Sequence, residues 1–354
     1  MSAVSVGIVG TGFGADVILP ALKSHTAFNL AGISSRKYSS RDTCKVPYSP
    51  DFPLVDLDYL FYSQDIDALI IAVPPSSQYA FVKKALNCGK HVLCEKPLAF
   101  SLDQASDLAR IATSMNLVLA VDYEFRYDPL LEACVSVIAS NDIGKLHSIT
   151  VRWWTSGALN RKRTWSWRDD SSCCSGVLSE WCSHVIDYLQ HICKGNFTEI
   201  SCRLDTEVKA RRSSPYFSLP VKTPDTCILA GKISNKISVK VEISTARRSS
   251  LGHYISLYGE NGDFVSSILP PFESVQAKLL TTTSSKLFQT EDITNFSYPC
   301  DARIFSVQRL LTDFSLRITG MDTDKLPLSE SALSVWRVLS AASSSAQSSS
   351  NLLI

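Results

Sequence analysis

A β-branched run, Val4–Gly10, leads straight into Gly10-Thr11-Gly12-Phe13-Gly14-Ala15, and a helical pattern continues from Gly14 to Ser24. Few features restrict a chain so tightly. In a strand–loop–helix unit of this spacing, Gly10 permits the tight turn off the strand. Gly12 lets the backbone approach a pyrophosphate, and Ala15 lets the helix pack closely on the strand. The helix N-terminus offers N–H groups and the positive end of its dipole to the phosphates. Gly10, Thr11, Gly12, Phe13 and Gly14 are therefore expected to bind a dinucleotide. The plain alternative is a glycine turn in an α/β protein.

The end of the second strand, Phe28–Ser34, selects between the two nicotinamide dinucleotides. A carboxylate there would accept from the ribose 2′-hydroxyl and repel a 2′-phosphate. This chain has Ser34-Ser35-Arg36-Lys37 and no acid. Two hydroxyls and two cations suit a phosphate dianion, so NADP is expected over NAD, with NAD possible. The alternative is that Arg36 and Lys37 are solvated surface charges.

Strand and helix patterns alternate through the first third. Ala68–Val73 is an apolar run stopped by Pro74-Pro75, and Ser76–Cys88 reads as a helix. A short strand, His91–Cys94, precedes a helix over Ser101–Met115 with Ser101 as its N-cap, and Leu117–Val121 is a further apolar strand. Such alternation implies a parallel sheet covered on both faces. After Asp122 the pattern changes. Helices are expected over Pro129–Ser140 and Gly176–Ile192, with an aromatic-rich strand, Leu146–Thr155, between them. Several strands follow from Thr198 to Ser267, with turns at Ile233–Asn235 and Glu260–Asp263, then helices over Arg303–Ile318 and Glu330–Ala342. The fold class is α/β: a doubly wound parallel Rossmann sheet over 1–122, then an α+β domain over 123–354 built on a mostly antiparallel sheet. Ser343–Ser350 is either a flexible tail or a helix end leading into a final strand, Leu352–Ile354.

Composition narrows the partners. Lys plus Arg number 35 against 34 for Asp plus Glu, a net charge of +1 that gives no case for nucleic acid or an acidic membrane surface. The N-terminus lacks the basic leader of a signal peptide, and no apolar run approaches a membrane span. Eleven cysteines, none spaced C-x-x-C and none grouped with His at zinc spacing, fit free thiols in a reducing cytoplasm and no metal. Cys88, Cys94 and Cys134 lie in or beside apolar runs and fit core positions.

Gly89-Lys90-His91-Val92-Leu93-Cys94-Glu95-Lys96-Pro97-Leu98 resembles the signature strand end of the glucose–fructose oxidoreductase / inositol dehydrogenase / rhizopine-catabolism (Gfo/Idh/MocA) family. Ala72-Val73-Pro74-Pro75 resembles that family's preceding strand exit, and Arg126-Tyr127-Asp128-Pro129 its linker into the second domain. Residues 176–187, from Gly176 through Glu180 and His184 to Asp187, resemble its active-site helix, and Tyr258–Gly262 a late sheet turn. The resemblance implies hydride transfer between NAD(P) and a carbinol carbon of a sugar, cyclic polyol or similar molecule. It also implies a homodimer or homotetramer formed through the open face of the second sheet. It places Val73, Pro74, Pro75, Glu95, Lys96 and Arg126 beside the cofactor, an interdomain salt bridge being the other reading of Arg126.

Lys96, at a strand's C-terminal end, is suited to hold the substrate oxygen and move its proton; alone it would read as a surface lysine paired with Glu95. Glu180, His184 and Asp187, spaced i, i+4, i+7, share one face of an α-helix. His184 reads as a general acid/base and a substrate contact, Glu180 as a catalytic partner and Asp187 as substrate-binding, against a structural ion-pair cluster. Family members often carry Asp where Glu180 stands and Gly where Cys182 stands, which puts the role of Glu180 in doubt. Arg161-Lys162-Arg163 with Trp153, Trp154, Trp165 and Trp167 reads as a loop over a sugar-like substrate, Trp167 stacking on it, or as plain domain packing. Two further functions fit the same residues: a non-catalytic cofactor-sensing protein, and an enzyme using tightly held NAD for transient oxidation in glycoside cleavage or epimerisation.

Overall fold

A computed structural model describes residues 3–34, 53–269, 274–281, 287–289, 296–298 and 301–354. The chain forms two compact units, Met1–Glu124 with Arg303–Leu333, and Phe125–Ala302 with Ser334–Ile354.

The first unit holds five parallel strands: β1 (Val4–Val9), β2 (Phe28–Ser34), β3 (Ala68–Ile71), β4 (His91–Cys94) and β5 (Leu119–Val121), in the order β2-β1-β3-β4-β5. Ile33 adds a single parallel bridge to Leu54 beyond β2. Counted as a residual strand, that bridge completes the 3-2-1-4-5-6 order of a dinucleotide-binding sheet. Val6, Ile8, Leu69, Ile70, Val92 and Leu93 are wholly buried, which is why these strands read as apolar runs and not as alternating ones. The chain leaves β1 towards opposite edges of the sheet. Right-handed crossovers therefore put the helices on both faces. They are α1 (Leu19–Lys23), α2 (Leu57–Tyr62), α3 (Pro75–Asn87) and α4 (Leu102–Ser114). Ser101 caps α4 by accepting from the Gln104 N–H, as its residue type predicts.

The division at residue 122 differs from the observed units in one respect. The helix Ala302–Ile318 carries Val307, Leu310, Leu311 and Phe314 on one buried stripe. That stripe closes over the first unit, where Phe314 stacks on Phe28 at 6.4 Å between ring centroids. The chain after it lies along β5, the Val121 N–H donating to the Pro327 carbonyl. A periodic stripe shows that a helix must be covered; it does not say by which sheet.

The second unit is built on β6 (Leu146–Trp154), β7 (Phe197–Asp205), β10 (Thr226–Ile233), β11 (Ile237–Ser244), β12 (Gly252–Gly259), β13 (Gly262–Ile268), β14 (Ser274–Thr281), β15 (Leu287–Gln289), β16 (Phe296–Ser297) and β17 (Leu352–Leu353). The order is β15-β14-β13-β12-β6-β11-β10-β7-β17, with β16 beside β14. β6 and β11 pair in parallel and the other neighbours antiparallel. β8 (Ala210–Arg212) and β9 (Ser218–Pro220) form a separate hairpin. The expected turn between β10 and β11 is made by Ser234 and Asn235, both at positive φ, the Lys236 N–H closing on the Ile233 carbonyl. Helices α5 (Pro129–Ser140) and α6 (Ser183–Cys193) belong to this unit.

The serine-rich stretch resolves in favour of the second reading. Its helix runs from Ser329 to Ser348, and β17 then pairs with β7. Ser345 is buried; its hydroxyl accepts from the Cys202 N–H at 3.0 Å and donates to the Ser350 carbonyl at 2.5 Å. Among the described residues no helix is long and apolar enough to cross a membrane. Ser345→Ala leaves the buried Cys202 N–H without its acceptor and is expected to cost about 1–3 kcal/mol, read as a lower urea midpoint at an unchanged slope.

Candidate active site

The loop ends of the first unit follow one another along the C-terminal edge of its sheet. Gly10 has a φ of +115°, and a Cβ there would stand 2.0 Å from the Ala72 carbonyl oxygen. The turn off β1 therefore requires glycine, and it runs hard against the exit of β3. A Cβ on Gly12 would meet nothing within 4 Å, so the backbone there is open to an approaching phosphate. Close packing of helix on strand falls to Gly14 as well as Ala15, since a Cβ on Gly14 would lie 3.0 Å from Ile8. The helix opens with a π-helical turn, Gly14–Ile18, before α1. Thr11 and Phe13 are half-buried, and Ser34 ends β2 with its carbonyl accepting from the Gly10 N–H at 2.8 Å. Ser35, Arg36 and Lys37 lie outside the described residues.

Val73, Pro74 and Pro75 carry the chain from β3 into α3, beside the glycine turn. Glu95 and Lys96 follow β4, both half-buried, and the Lys96–Pro97 peptide is cis. The Glu95 N–H donates to the Ile71 carbonyl, and its own carbonyl accepts from Gln78 Nε2 at 2.6 Å. Gln78, wholly buried in the first turns of α3, thus fixes the chain just before Lys96. The loop Gly10–Gly14 and the Lys96 backbone thus follow strands of one parallel sheet, on its C-terminal edge.

In the second unit the helix bearing Glu180, His184 and Asp187 is not α-helical throughout. Leu178–Cys182 forms a π-helical turn ahead of α6. Glu180 lies in that π-helical turn, and His184 and Asp187 lie in the α-helix that follows. Its carboxylate accepts from Arg168 Nε at 2.8 Å, and the Arg168 guanidinium lies 4.3 Å from the centre of the Trp167 ring. Asp187 and Arg126 are brought together. Arg126 donates from Nε at 2.8 Å and from Nη2 at 2.6 Å to the two Asp187 oxygens, both residues being buried. Burial raises the Asp187 carboxyl while Arg126 pulls it down. This bidentate pair lies within the second unit. Cys182 turns inward, its thiol against Cys227.

His184, also buried, packs edge-on to Phe125 at 4.8 Å. Phe125 in turn meets Trp153, which stacks on His253 at 4.2 Å with the rings 12° apart. Tyr188 Oη lies 3.0 Å from His253 Nε2. The sequence reading missed this aromatic group, although alternation along β6 and β12 puts Trp153 and His253 on one inward face. Arg163 and Arg211 share the buried carboxylate of Asp169 at 2.8 and 2.9 Å, so part of the basic stretch is structural, while Arg161 and Lys162 are exposed. Among the described residues no group of three His, Cys, Asp or Glu is placed to hold a metal ion.

Burial pushes His253 down to about 3 from 6.5. Between those values the unfolded chain binds a proton that the folded chain refuses, so stability falls as pH falls through that window. His253→Gln is expected to flatten the decline by up to about 1.4 kcal/mol per pH unit, measured by denaturant unfolding at successive pH values.

Residues 4–123 match the family described as "Oxidoreductase family, NAD-binding Rossmann fold", and residues 132–265 match the GFO/IDH/MocA C-terminal domain. Glucose-6-phosphate 3-dehydrogenase of Bacillus subtilis (strain 168) is 28% identical over 268 residues, 73% of this chain and 73% of that protein. Levoglucosan dehydrogenase in complex with NADH and L-sorbose has a TM-score of 0.83 at 19% identity, covering 100% of this chain and 99% of the other. A super-repressor mutant of Gal80p from Saccharomyces cerevisiae has a TM-score of 0.84, also at 19% identity and the same coverage. At such identities the two structures speak to fold alone. The two matched regions span most of the sequence, in order and with the strand order their domains require, and the chain belongs to the GFO/IDH/MocA oxidoreductase family, with an NAD-binding Rossmann domain at its N-terminus.

Proposed function

We propose that this protein is an NADP-preferring dehydrogenase that moves a hydride to or from a carbinol or carbonyl carbon of a sugar, cyclic polyol or related small molecule. The observation that carries it is the open backbone at Gly12 on the same sheet edge as Lys96. The relative named glucose-6-phosphate 3-dehydrogenase supports the substrate class. The nicotinamide supplies the hydride acceptor and donor. Lys96 donates a hydrogen bond to the substrate oxygen and holds the proton that leaves or returns there. His184 is the second acid/base group and a substrate contact, and Trp167 offers a ring face to the substrate. Asp187, with both oxygens on Arg126, acts through that arginine, which is the cofactor contact. Glu180 likewise acts through Arg168.

Ser34, Ser35, Arg36 and Lys37 favour the 2′-phosphate by hydroxyl and cation count. The protein works as a homodimer or homotetramer through the open face of the second sheet, a mass that light scattering reads. That face bears the Arg152 guanidinium between the rings of Trp154 and Tyr254, at 5.0 and 4.7 Å.

A panel of sugars, inositols and sugar acids, followed by NADPH absorbance, is the direct test. Lys96→Met is expected to lower turnover by about two orders of magnitude or more with cofactor affinity nearly unchanged, and full activity in that variant refutes the role. Titration of both cofactors is expected to favour NADP; a Kd about tenfold or more tighter for NAD reverses the assignment. Cofactor binding without turnover of any panel member is the result that a non-catalytic sensor of this fold predicts.

A further inference from the structure

The turn Trp167–Asp169 of the second unit is pinned at its base. The buried Asp169 carboxylate accepts from Arg163, Arg211 and the Ser166 N–H. The Arg168 carbonyl accepts from the Thr223 hydroxyl at 2.9 Å. The Arg168 side chain is nonetheless 49% exposed. Two contacts hold it there: Glu180 accepts from Nε at 2.8 Å, and the guanidinium carbon lies 4.3 Å from the centre of the Trp167 ring. Among the described residues no second carboxylate pairs with it. An exposed ion pair of this kind adds little to stability. What it fixes is the direction of a planar cation whose N–H groups match the oxygens of a carboxylate or phosphate.

The π-helical turn that holds Glu180 runs directly into α6, which carries His184 four residues later. Arg168 is therefore tied to the same helical run as that histidine. An Asp side chain, which family members often carry at this position, ends one C–C bond short of the glutamate that makes this contact. The surrounding charge has one sign. Residues 157–172 and 207–222 hold eight Lys and Arg against three Asp and Glu, on a chain whose net charge is +1. Backbone bonds bring the two segments together. The Trp165 N–H donates to the Arg212 carbonyl at 2.8 Å, and the Lys222 N–H to the Asp169 carbonyl at 2.9 Å. Arg161, Lys162, Arg212 and Lys222 are exposed. Of the three acids, Asp169 is shared by two arginines, Asp170 faces Lys222, and Glu207 is exposed. A local excess of this kind attracts anions.

We infer that Arg168 anchors an oxyanion subsite beside the helical run that carries His184, and that the sugar-like substrate bears a phosphate or carboxylate which Arg168 grips. Glu180 is a positioning residue. With Trp167 it holds the guanidinium in place before the substrate arrives, which lowers the ordering cost of binding. Arg161, Lys162 and Lys222 raise the local concentration of anions without fixing their geometry. A neutral sugar gains nothing from either effect. The subsite rests on the dehydrogenase reading, since it assigns the chemical class of that enzyme's substrate.

Matched pairs test it on the full-length protein with NADP present: inositol 1-phosphate against inositol, and glucuronate against glucose. Calorimetric titration needs no turnover. The anionic member of a pair is expected to bind about 10- to 100-fold more tightly than the neutral one. That advantage is expected to vanish in Arg168→Gln and to return in part in Arg168→Lys, because an ammonium lacks the planar fork. The phosphate and carboxylate pairs rank the two oxyanions. Where a pair is turned over, Glu180→Asp is expected to lower the ratio of anionic to neutral kcat/KM by raising KM for the anionic member. Phenylglyoxal modification of Arg168, read by peptide mass spectrometry, locates the anion: the anionic member is expected to slow it and the neutral member to leave it unchanged. Equal affinity within both pairs overturns the subsite. So does an anionic preference that survives in folded Arg168→Gln, or equal slowing of the modification by both members. Turnover of neutral members alone overturns the subsite and leaves the dehydrogenase reading standing. Tight binding of an anionic member that Arg168→Gln abolishes, with no turnover of any member, supports the subsite and counts against that reading.

Discussion

The first unit depends on one close approach, the passage of the Gly10 backbone against the Ala72 carbonyl. A single added carbon would collide there. Because the approach is possible, β1 and β3 can be neighbours right up to their ends, and their loops open into a common crevice. The helix starting at Gly14 can then begin directly above β1, with its N–H groups facing that crevice. The β4 exit carrying Lys96 is held one strand further along by Gln78. This sheet edge is thus set mostly by main-chain hydrogen bonds and one buried amide.

The second unit solves a different problem. Its candidate site is assembled from charges removed from water, and each is paired with geometry good enough to offset desolvation. Arg126 grips Asp187 through two parallel bonds, and Asp169 takes two arginines and accepts from the Ser166 N–H besides. Such pairs add little net stability, but leaving one partner unmatched is costly, so they hold side-chain orientation firmly. His184 packs on Phe125, part of an aromatic group that reaches to His253.

The sequence was most legible where a local rule decides the outcome. The bounds of β2, β4 and α5 follow from apolar runs, a capping residue and a proline at a helix start, and the structure has them at the expected residues. It was less legible where a long-range partner decides. The helix Ala302–Ile318 showed its stripe but not its destination. The serine run was open between a tail and a helix end because serine has no strong preference; β7, distant in the chain, gives Ser345 a partner. The i, i+4, i+7 spacing assumed an α-helix across residues 178–182, and a π-helical turn leaves no periodic trace in one sequence.

The parallel pairing of β6 with β11 has a consequence for how the second unit is made. β6 is synthesised before its neighbours, yet it lies between two local hairpins, β10–β11 and β12–β13. Those hairpins can close within their own short spans, whereas β6 must wait for both of its partners and close long loops to each. Until it enters, β11 and β12 each present an open edge with the inward apolar residues of a central strand. A nascent or partly unfolded chain therefore carries a gap shaped for this one strand, and a β6 from a second molecule fits it as well as its own. The step most exposed to misassembly, and most dependent on chain concentration, is the filling of that central gap, while the outer strands merely follow.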